Sequence, residues 1–219
     1  KAGINEKGYD RMGKVRRWML ILCAIFMVLG AQSVYADDTQ DSLDGYWSKD
    51  ENQETEDGET VYRYFLWDGT MITDQWAKIE EEWYFFDANG VMKRNFWREK
   101  DGLQYYYDAD GHLSMNIGLL LHGYWHYFDQ NGVMKINYWR QKNGQRYYYD
   151  ADGHMYQNQG VEIGGYWYYF DNDGIMKANF WRKKDGDRYY YDANGHLVTN
   201  RTMVINGVTY RFSSSGKVI

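Results

Sequence analysis

The sequence predicts an all-β fold, made of tandem 21-residue β-hairpins that stack on one another in an elongated array. Three observations predict it: glycines recur every 21 residues without an insertion, nearly all of them follow an aromatic run, and Asp or Asn precedes most of them. Self-similarity of this kind is typical of repeat proteins, whose units are too small to bury an apolar face alone. The recurring glycines are Gly69, Gly90, Gly111, Gly132, Gly153, Gly174, Gly195 and Gly216.

The first segment, residues 1–36, has the layout of a secretory leader. Basic residues between Lys14 and Arg17 precede an apolar stretch from Trp18 to Leu29, and Ala36 ends the segment before two acids. The apolar stretch is shorter than the roughly 20 residues that a membrane-spanning helix needs. We therefore expect a signal peptide that starts at Met12 and is cleaved after Ala36, with the preceding residues lying upstream of the protein.

The second segment, residues 37–60, is strongly acidic. It contains ten Asp or Glu residues and one base, Lys49. Low hydrophobicity with high like charge predicts a disordered spacer. Gly45-Tyr46-Trp47 interrupts the segment and is also interpretable as the remnant of a degenerate leading repeat.

The third segment, residues 61–219, is the repeat array. Each unit has an aromatic run, a turn ending in Gly and a short second segment, which together predict a β-hairpin. The residue two places after each Gly is apolar and predicted to be buried, and an Asn five places after it, such as Asn95, predicts a second bend. Two versions alternate, seen at Trp83 to Met92 and at Tyr105 to His112, so the longer period is 42. The last unit has lost its Trp and has the character of a capping repeat.

Composition excludes several classes of function. The net charge of −6 lacks the Lys/Arg footprint that nucleic acid or anionic lipid requires. The sequence has no phosphate loop, zinc spacing or nucleophile motif, so we expect a non-enzyme without a cofactor. The one cysteine, Cys23, lies in the predicted leader, so stability must come from stacking and not from disulfides.

Three other patterns are candidates for metal or acid/base sites. His112, His154 and His196 recur every 42 residues, which places one in each double repeat, too far apart to share an ion. The Asp108-x-Asp110-Gly111 pattern is similar to the start of a calcium loop but lacks its distal Glu, so turn chemistry is favoured. Glu80-Glu81-Glu82 lies in a predicted hairpin loop and is expected to be solvated. We therefore predict no metal site.

The repeated pattern Trp-Tyr-Tyr-Phe-Asp-x-x-Gly-x-Met, followed by an Asn and an aromatic-Trp step, resembles the cell-wall-binding repeats of Gram-positive bacteria. That family includes choline-binding modules and the related glucan-binding repeats of secreted glucosyltransferases. The resemblance spans Val61 to Gly216 and implies a β-solenoid with ligand grooves between successive hairpins. It implies a cage of two Trp and one Tyr for choline, whose quaternary ammonium favours ring faces. A sugar would stack on the same rings.

The sequence departs from the choline pattern that the resemblance implies. Only Trp76 and Trp83 retain both tryptophans of a unit. In the later units one of the two is replaced, by Gln104, Gly118, Arg146, Gly160 or Arg188. Arg146 and Arg188 each place a cation where choline would sit, and Gln104 replaces a ring with an amide. These changes make choline a weaker candidate than a polar polymer such as glucan, peptidoglycan glycan or an anionic wall polymer.

The candidate ligand-binding residues are the tryptophans and the rings that share a strand face with them, two residues apart. They are Trp76, Trp83, Phe85, Trp97, Tyr106, Trp125, Tyr127, Trp139, Tyr148, Trp167, Tyr169, Trp181 and Tyr190. The alternative for each ring is a role in packing between repeats alone.

The sequence thus predicts a secreted, non-catalytic protein held non-covalently at the bacterial surface by several weak grooves that bind a cell-wall polymer or glycan. Two alternatives remain open. One is a targeting module or fragment of a wall hydrolase, glucosyltransferase or toxin, and the other is a host-facing adhesin. Exposed apolar grooves at the ends of the array would allow a homodimer.

Overall fold

The structure is a computed structural model that describes residues 41–55 and 58–219; the predicted leader lies outside these ranges. The described residues contain sixteen β-strands and no helix, and hence no helix long and apolar enough to cross a membrane. The predicted all-β class is confirmed. The strands are β1 (Gly45–Glu54), β2 (Thr60–Leu66), β3 (Gln75–Ile79), β4 (Glu82–Phe86), β5 (Phe96–Lys100), β6 (Leu103–Tyr107), β7 (Ile117–Leu121), β8 (Tyr124–Phe128), β9 (Tyr138–Lys142), β10 (Gln145–Tyr149), β11 (Gln159–Ile163), β12 (Tyr166–Phe170), β13 (Phe180–Lys184), β14 (Asp187–Tyr191), β15 (Thr202–Ile205) and β16 (Val208–Arg211).

Consecutive strands pair into antiparallel hairpins, which we number 1 to 8 from β1–β2 to β15–β16. In hairpin 2, Trp76 lies opposite Phe85, and Lys78 lies opposite Trp83. Side chains alternate between the two faces of a strand, so these four share one face. We call this the forward face, because it meets the next hairpin; the other is the backward face.

The tips of hairpins 2 to 8 consist of two residues with positive φ. In hairpin 3 they are Asp101 (φ 53°) and Gly102 (φ 74°), the signs of a type I′ turn, whose twist matches that of the flanking strands. Hairpin 2 has Glu80 (φ 50°) and Glu81 (φ 76°) there instead. Both glutamates are exposed.

The turn that ends in the repeat Gly was predicted at the tip of each hairpin, and this placement is wrong: the aromatic run pairs with the strand before it, and the segment after the Gly forms only a single bridge to it. The turn itself has the predicted chemistry. The Asp87 carboxylate accepts hydrogen bonds from the backbone N–H groups of Asn89 and Val91, both at 2.9 Å. The predicted second bend is confirmed, because Asn95 has φ 47° and its counterparts in later repeats have similar values. In the last unit the Ser213 hydroxyl takes the place of the carboxylate and accepts the Lys217 N–H at 3.0 Å.

Each hairpin is hydrogen-bonded to the one before it. The N–H of Leu113, just after hairpin 3, donates to the carbonyl of Trp83 in hairpin 2 at 2.8 Å, and matching bonds join every later pair of neighbours. The hairpins therefore stack as a β-solenoid, as the family resemblance implies.

The position that is buried in each repeat differs from the predicted one. In hairpins 2 to 8 the residue four places before the repeat Gly is buried, and Phe86, Tyr107, Phe128 and Phe170 have 0% exposure each. The residue two places after the Gly, predicted to be the buried one, forms a bridge to that ring but is only half-buried in several repeats. Aromatic rings, which reach farther than Met or Leu, fill the space between hairpins.

The first hairpin lies partly inside the predicted spacer. Strand β1 occupies 45–54, so the prediction of disorder for 37–60 is wrong there. The physical reason is aromatic packing: Trp47 contacts Tyr64 and Tyr84, with ring centroids 5.1 and 5.0 Å away. Asp50 also forms an ion pair with Arg63 at 3.3 Å. The interpretation of Gly45-Tyr46-Trp47 as part of a leading repeat agrees with this arrangement.

Candidate functional site

Two kinds of interface alternate along the stack, which gives the 42-residue period a structural meaning. In the first kind, a forward-face Trp packs edge-on against a ring of the next hairpin. Trp139 meets Tyr168 with centroids 4.9 Å apart and also contacts Phe170 at 5.9 Å. The tryptophans of these interfaces are Trp47, Trp97, Trp139 and Trp181.

In the second kind, an arginine from the later hairpin lies over a ring of the earlier one. The guanidinium carbons of Arg98, Arg140 and Arg182 lie 4.1, 3.7 and 4.1 Å from the ring centroids of Phe85, Tyr127 and Tyr169. A guanidinium on a ring face is a cation–π contact. The chain itself therefore supplies a cation at the ring face where an external cation would bind.

Sequence reasoning missed these three arginines. Each follows a tryptophan, at 97–98, 139–140 and 181–182, so a Trp-Arg step repeats every 42 residues. This Trp-Arg step is a sequence signal from which the arginines could have been found. Because side chains alternate along a strand, the Arg lies on the backward face, toward the preceding hairpin, while the Trp of the same step lies on the forward face.

Trp76 and Trp83, the one complete tryptophan pair predicted from the sequence, are buried and not open to a ligand. Trp76, Trp83 and Phe85 are only 9%, 3% and 8% exposed. Trp76 packs edge-on against Tyr105 at 4.7 Å, and Arg98 lies 4.9 Å from its ring centroid. Ligand binding at this pair is therefore not supported, because rings and a guanidinium from hairpin 3 fill the groove.

Glycine at the matching positions leaves later interfaces open. Gly118 and Gly160 stand where hairpin 2 has Trp76, and the neighbouring Trp125 and Trp167 are 38% and 48% exposed. A Cβ built on Gly160 would lie 3.6 Å from Arg182 Nη1, an ordinary contact distance. The missing indole is what exposes these two tryptophans.

A cavity lies at the second of these positions, between hairpins 6 and 7. This cavity, which we call cleft 6/7, has a volume of about 580 Å³, within the range of small-molecule sites. Trp167 and Gly160 form one wall, and Arg182, Lys184 and Tyr189 contribute from hairpin 7. An exposed ring, two cations and several hydroxyl groups thus converge on one space.

Arg146 and Arg188, which stand where the choline pattern has tryptophan, lie at the tryptophan interfaces. Arg146 lies 4.4 Å from the centroid of Trp139, and Arg188 lies 4.5 Å from that of Trp181. Gln104 instead donates to the Glu99 carboxylate at 3.0 Å.

The remaining predicted rings are divided between packing and exposure. Tyr106, Tyr148 and Tyr190 pack on the tryptophan of their own hairpin at 5.1, 5.0 and 4.9 Å. Tyr106 and Tyr190 are buried, which favours the packing alternative for these two. Tyr127 and Tyr169 are half-buried beneath arginines, and their ligand contact stays a prediction.

A second cleft lies between hairpins 1 and 2, and sequence reasoning missed it because Trp47 falls in the predicted spacer. This cavity of about 260 Å³, cleft 1/2, is lined by Trp47, Tyr62, Tyr84, Met92, Arg94 and Asp110. Arg94 forms an ion pair with Glu59 at 2.8 Å, which offsets its charge. Three rings and a carboxylate therefore face one small cavity.

Two clusters of acids and histidine could geometrically hold a cation, Asp108-Asp110-His112 and Asp150-Asp152-His154. The Asp108 carboxylate already accepts two backbone N–H groups of its own turn, from Asp110 and His112. His112 Nε2 lies 3.0 Å from the Tyr84 hydroxyl. Turn formation and inter-hairpin contact account for both residue types.

Comparisons with known proteins point in one direction. The choline-binding repeat model matches residues 160–202, and the cell wall binding repeat model matches residues 74–92, 122–134 and 137–155. No curated protein sequence matches significantly. Among solved structures, choline binding protein F of Streptococcus pneumoniae, crystallised with a peptidoglycan analogue, is 25% identical with a TM-score of 0.62, over 81% of this chain and 58% of that chain.

Two further structures from Streptococcus pneumoniae share the fold. CbpJ is 22% identical with a TM-score of 0.66, over 82% of this chain and 66% of its own. The choline-binding domain of CbpL is 22% identical with a TM-score of 0.59, over 79% of this chain and 96% of its own. The chain spans little more than half the length of the choline binding protein F structure.

Proposed function

Because the chain belongs to the choline-binding and cell wall binding repeat family, we propose that it is a secreted, non-catalytic protein that binds a bacterial wall polymer or glycan in its inter-hairpin clefts. The family's repeats are binding modules that attach non-covalently to the bacterial wall surface. The predicted leader supports secretion. The observation that carries the proposal is cleft 6/7, where an indole 48% exposed borders a cavity of about 580 Å³.

A glycan fits the chemistry of cleft 6/7. Sugar C–H faces stack on an indole, and sugar hydroxyls need hydrogen-bonding partners. Trp167 supplies the ring, and Tyr189, Thr199 and Ser214 line the same cavity with hydroxyl groups. Exposure of Trp125 in the matching position of hairpin 4 supports a second attachment point. Two weak sites on one polymer gain affinity through effective concentration.

A quaternary ammonium group fits cleft 1/2 better. Trp47, Tyr62 and Tyr84 present rings to this cavity, and Asp110 adds a negative charge. Such a group donates no hydrogen bonds and is attracted to ring faces. Arg94 lies 5.3 Å from the centroid of Tyr62 in cleft 1/2 but is paired with Glu59, whereas the guanidinium groups of the arginine interfaces lie closer, 3.7 and 4.1 Å over Tyr127 and Tyr169. Choline-bearing polymer is therefore expected at cleft 1/2 and not at the arginine interfaces.

Tryptophan fluorescence of the purified chain, titrated separately with choline and with isomaltotriose, tests the proposal. We expect saturable responses to both ligands. Trp47→Ala should abolish the choline response alone, and Trp167→Ala should reduce the isomaltotriose response alone, because the two rings line different cavities. If neither ligand changes the emission, the clefts do not bind these wall components and the proposal fails.

The rival roles are separated by where the chain binds. A host-facing adhesin would bind host cells in preference to isolated bacterial walls, whereas the proposed protein should do the reverse. A targeting module of a larger hydrolase, glucosyltransferase or toxin would use the same clefts, so it is distinguished by the length of the native protein.

A further inference from the structure

We propose that cleft 6/7 is selective for a sugar that carries an anionic group, a carboxylate or a phosphate. The inference rests on the proposed function, since it names the class of glycan that this cleft takes. Three observations support it: the cationic side chains of the cleft wall, the exposed ring of Trp167, and the turn after hairpin 8, which contains Ser214 and Ser215.

The wall of cleft 6/7 is cationic and not acidic. Arg182 and Lys184 line the cavity, and none of the residues that line it is Asp or Glu. Glu162 lies opposite Trp167 in hairpin 6 but borders a different cavity. This polarity is local, since the chain as a whole has a charge of −6.

Both cations are available to a ligand. Asp187, which lies opposite Lys184 in the hairpin, forms an ion pair with Lys217 at 2.6 Å. Lys184 has no ion pair within the described ranges. Arg182 lies on the Tyr169 ring at 4.1 Å and close to the buried Tyr191, whose pKa is raised by burial and lowered in part by the Arg182 charge. The guanidinium is thus held in place without a carboxylate partner, which suits bidentate binding of an anion.

The last turn distinguishes this cleft from its counterpart. Ser214 and Ser215 line cleft 6/7, while the matching positions 42 residues earlier hold Asn172 and Asp173. The replacement of Asp by Ser removes a carboxylate from the rim and leaves a hydroxyl donor. Like charge near the site would oppose an anionic sugar. In the interface between hairpins 2 and 3, Trp76 closes the corresponding space altogether.

Calorimetric titration of the purified chain with three sugars tests the inference: tri-galacturonate, glucose 6-phosphate and the neutral isomaltotriose. We expect tri-galacturonate to bind about tenfold more tightly than isomaltotriose, with the advantage shrinking as salt is raised. The phosphate arm shows whether the cleft takes both anionic groups or the carboxylate alone. Equal affinity for charged and neutral sugars would overturn the inference.

Three variants place the effect in the cleft. Ser215→Asp recreates the residue of the matching turn, so the fold tolerates it, and it should weaken tri-galacturonate binding about three- to tenfold without changing isomaltotriose binding. Lys184→Gln should act in the same direction. Lys183→Gln removes the same charge from the opposite face of β13 and is the matched control, expected to bind as the parent does.

Gly160→Trp tests the cavity itself. The Cβ meets only ordinary contacts, and the indole should occupy the space as Trp76 does four hairpins earlier, so both sugars should lose binding. If Ser215→Asp and Lys184→Gln leave tri-galacturonate binding unchanged, cleft 6/7 is not an anion site. Sedimentation of the chain with purified walls separates the two failures: retention on walls without sugar selectivity overturns this inference alone, while absence of retention overturns the proposed function.

Discussion

At the scale of single residues, one histidine is buried where the related interfaces have tyrosine. His126 is 6% exposed and packs edge-on against Trp97 with centroids 5.4 Å apart. Tyr84, Tyr168 and Tyr210 hold the same position in other tryptophan interfaces. Burial lowers the pKa of His126, and the nearby His154 lowers it further, against the opposing effect of Asp150.

This pKa shift predicts a pH-dependent stability. A histidine whose folded pKa lies below its ordinary value of 6.5 stabilises the fold while it is neutral, and that contribution is lost as the pH falls below 6.5. Urea midpoints at pH 7.5 and pH 5 should therefore differ more in the parent than in His126→Tyr, which carries the ring of the sister interfaces. If the urea midpoints of the parent and of His126→Tyr change equally between the two pH values, His126 is not the source of the pH-dependent stability.

At the scale of the element, the repeat glycine is required for two separate reasons. Gly132 has φ 75°, a left-handed conformation that side chains disfavour. A Cβ at this position would also lie 2.7 Å from Leu113 Cδ2 in the preceding repeat. Leu113 is 4% exposed, so it has little room to move. The glycine period thus reflects both the turn and the close stacking of one unit on the next.

The two reasons are separable by substitution. Gly69 has φ 86° but open space around it, so Gly69→Ala should lose only the backbone term, about 1–2 kcal/mol of unfolding free energy. Gly132→Ala should lose about 1–3 kcal/mol more, because overpacking adds to it. Chemical denaturation measures both, and equal losses would show that contact with Leu113 does not constrain the repeat.

At the scale of the whole stack, the strands and turns were predictable because they depend on residues close together in the chain, whereas the pairing was not: each aromatic run pairs with the strand before it and only bridges the segment after the repeat Gly. The 21-residue glycine period, the tip chemistry and the Asn bend are all local signals. The clefts were less predictable, since each joins the forward face of one hairpin to the backward face of the next. Burial of Trp76 depends on Arg98 and Tyr105 from hairpin 3, and the role of Gly160 depends on Arg182 from hairpin 7.

The 42-residue alternation is therefore an alternation of interfaces. Tryptophan interfaces hold hairpins together through Trp–Tyr and Trp–Phe contacts, whereas arginine interfaces leave exposed indoles wherever Gly replaces Trp. This division predicts that wall attachment depends on Trp125 and Trp167 and that the buried Trp76 and Trp83 serve stability.

The most direct test is sedimentation of the chain with purified Gram-positive cell walls, comparing the parent with Trp125→Ala/Trp167→Ala. Trp67→Ala is the control, because Trp67 is 68% exposed and packs on Tyr46 of its own hairpin, outside the clefts. Thermal unfolding verifies that each variant folds. We predict that the double variant loses about tenfold in wall affinity while the control binds like the parent; a folded double variant that binds walls as the parent does would contradict attachment through these clefts.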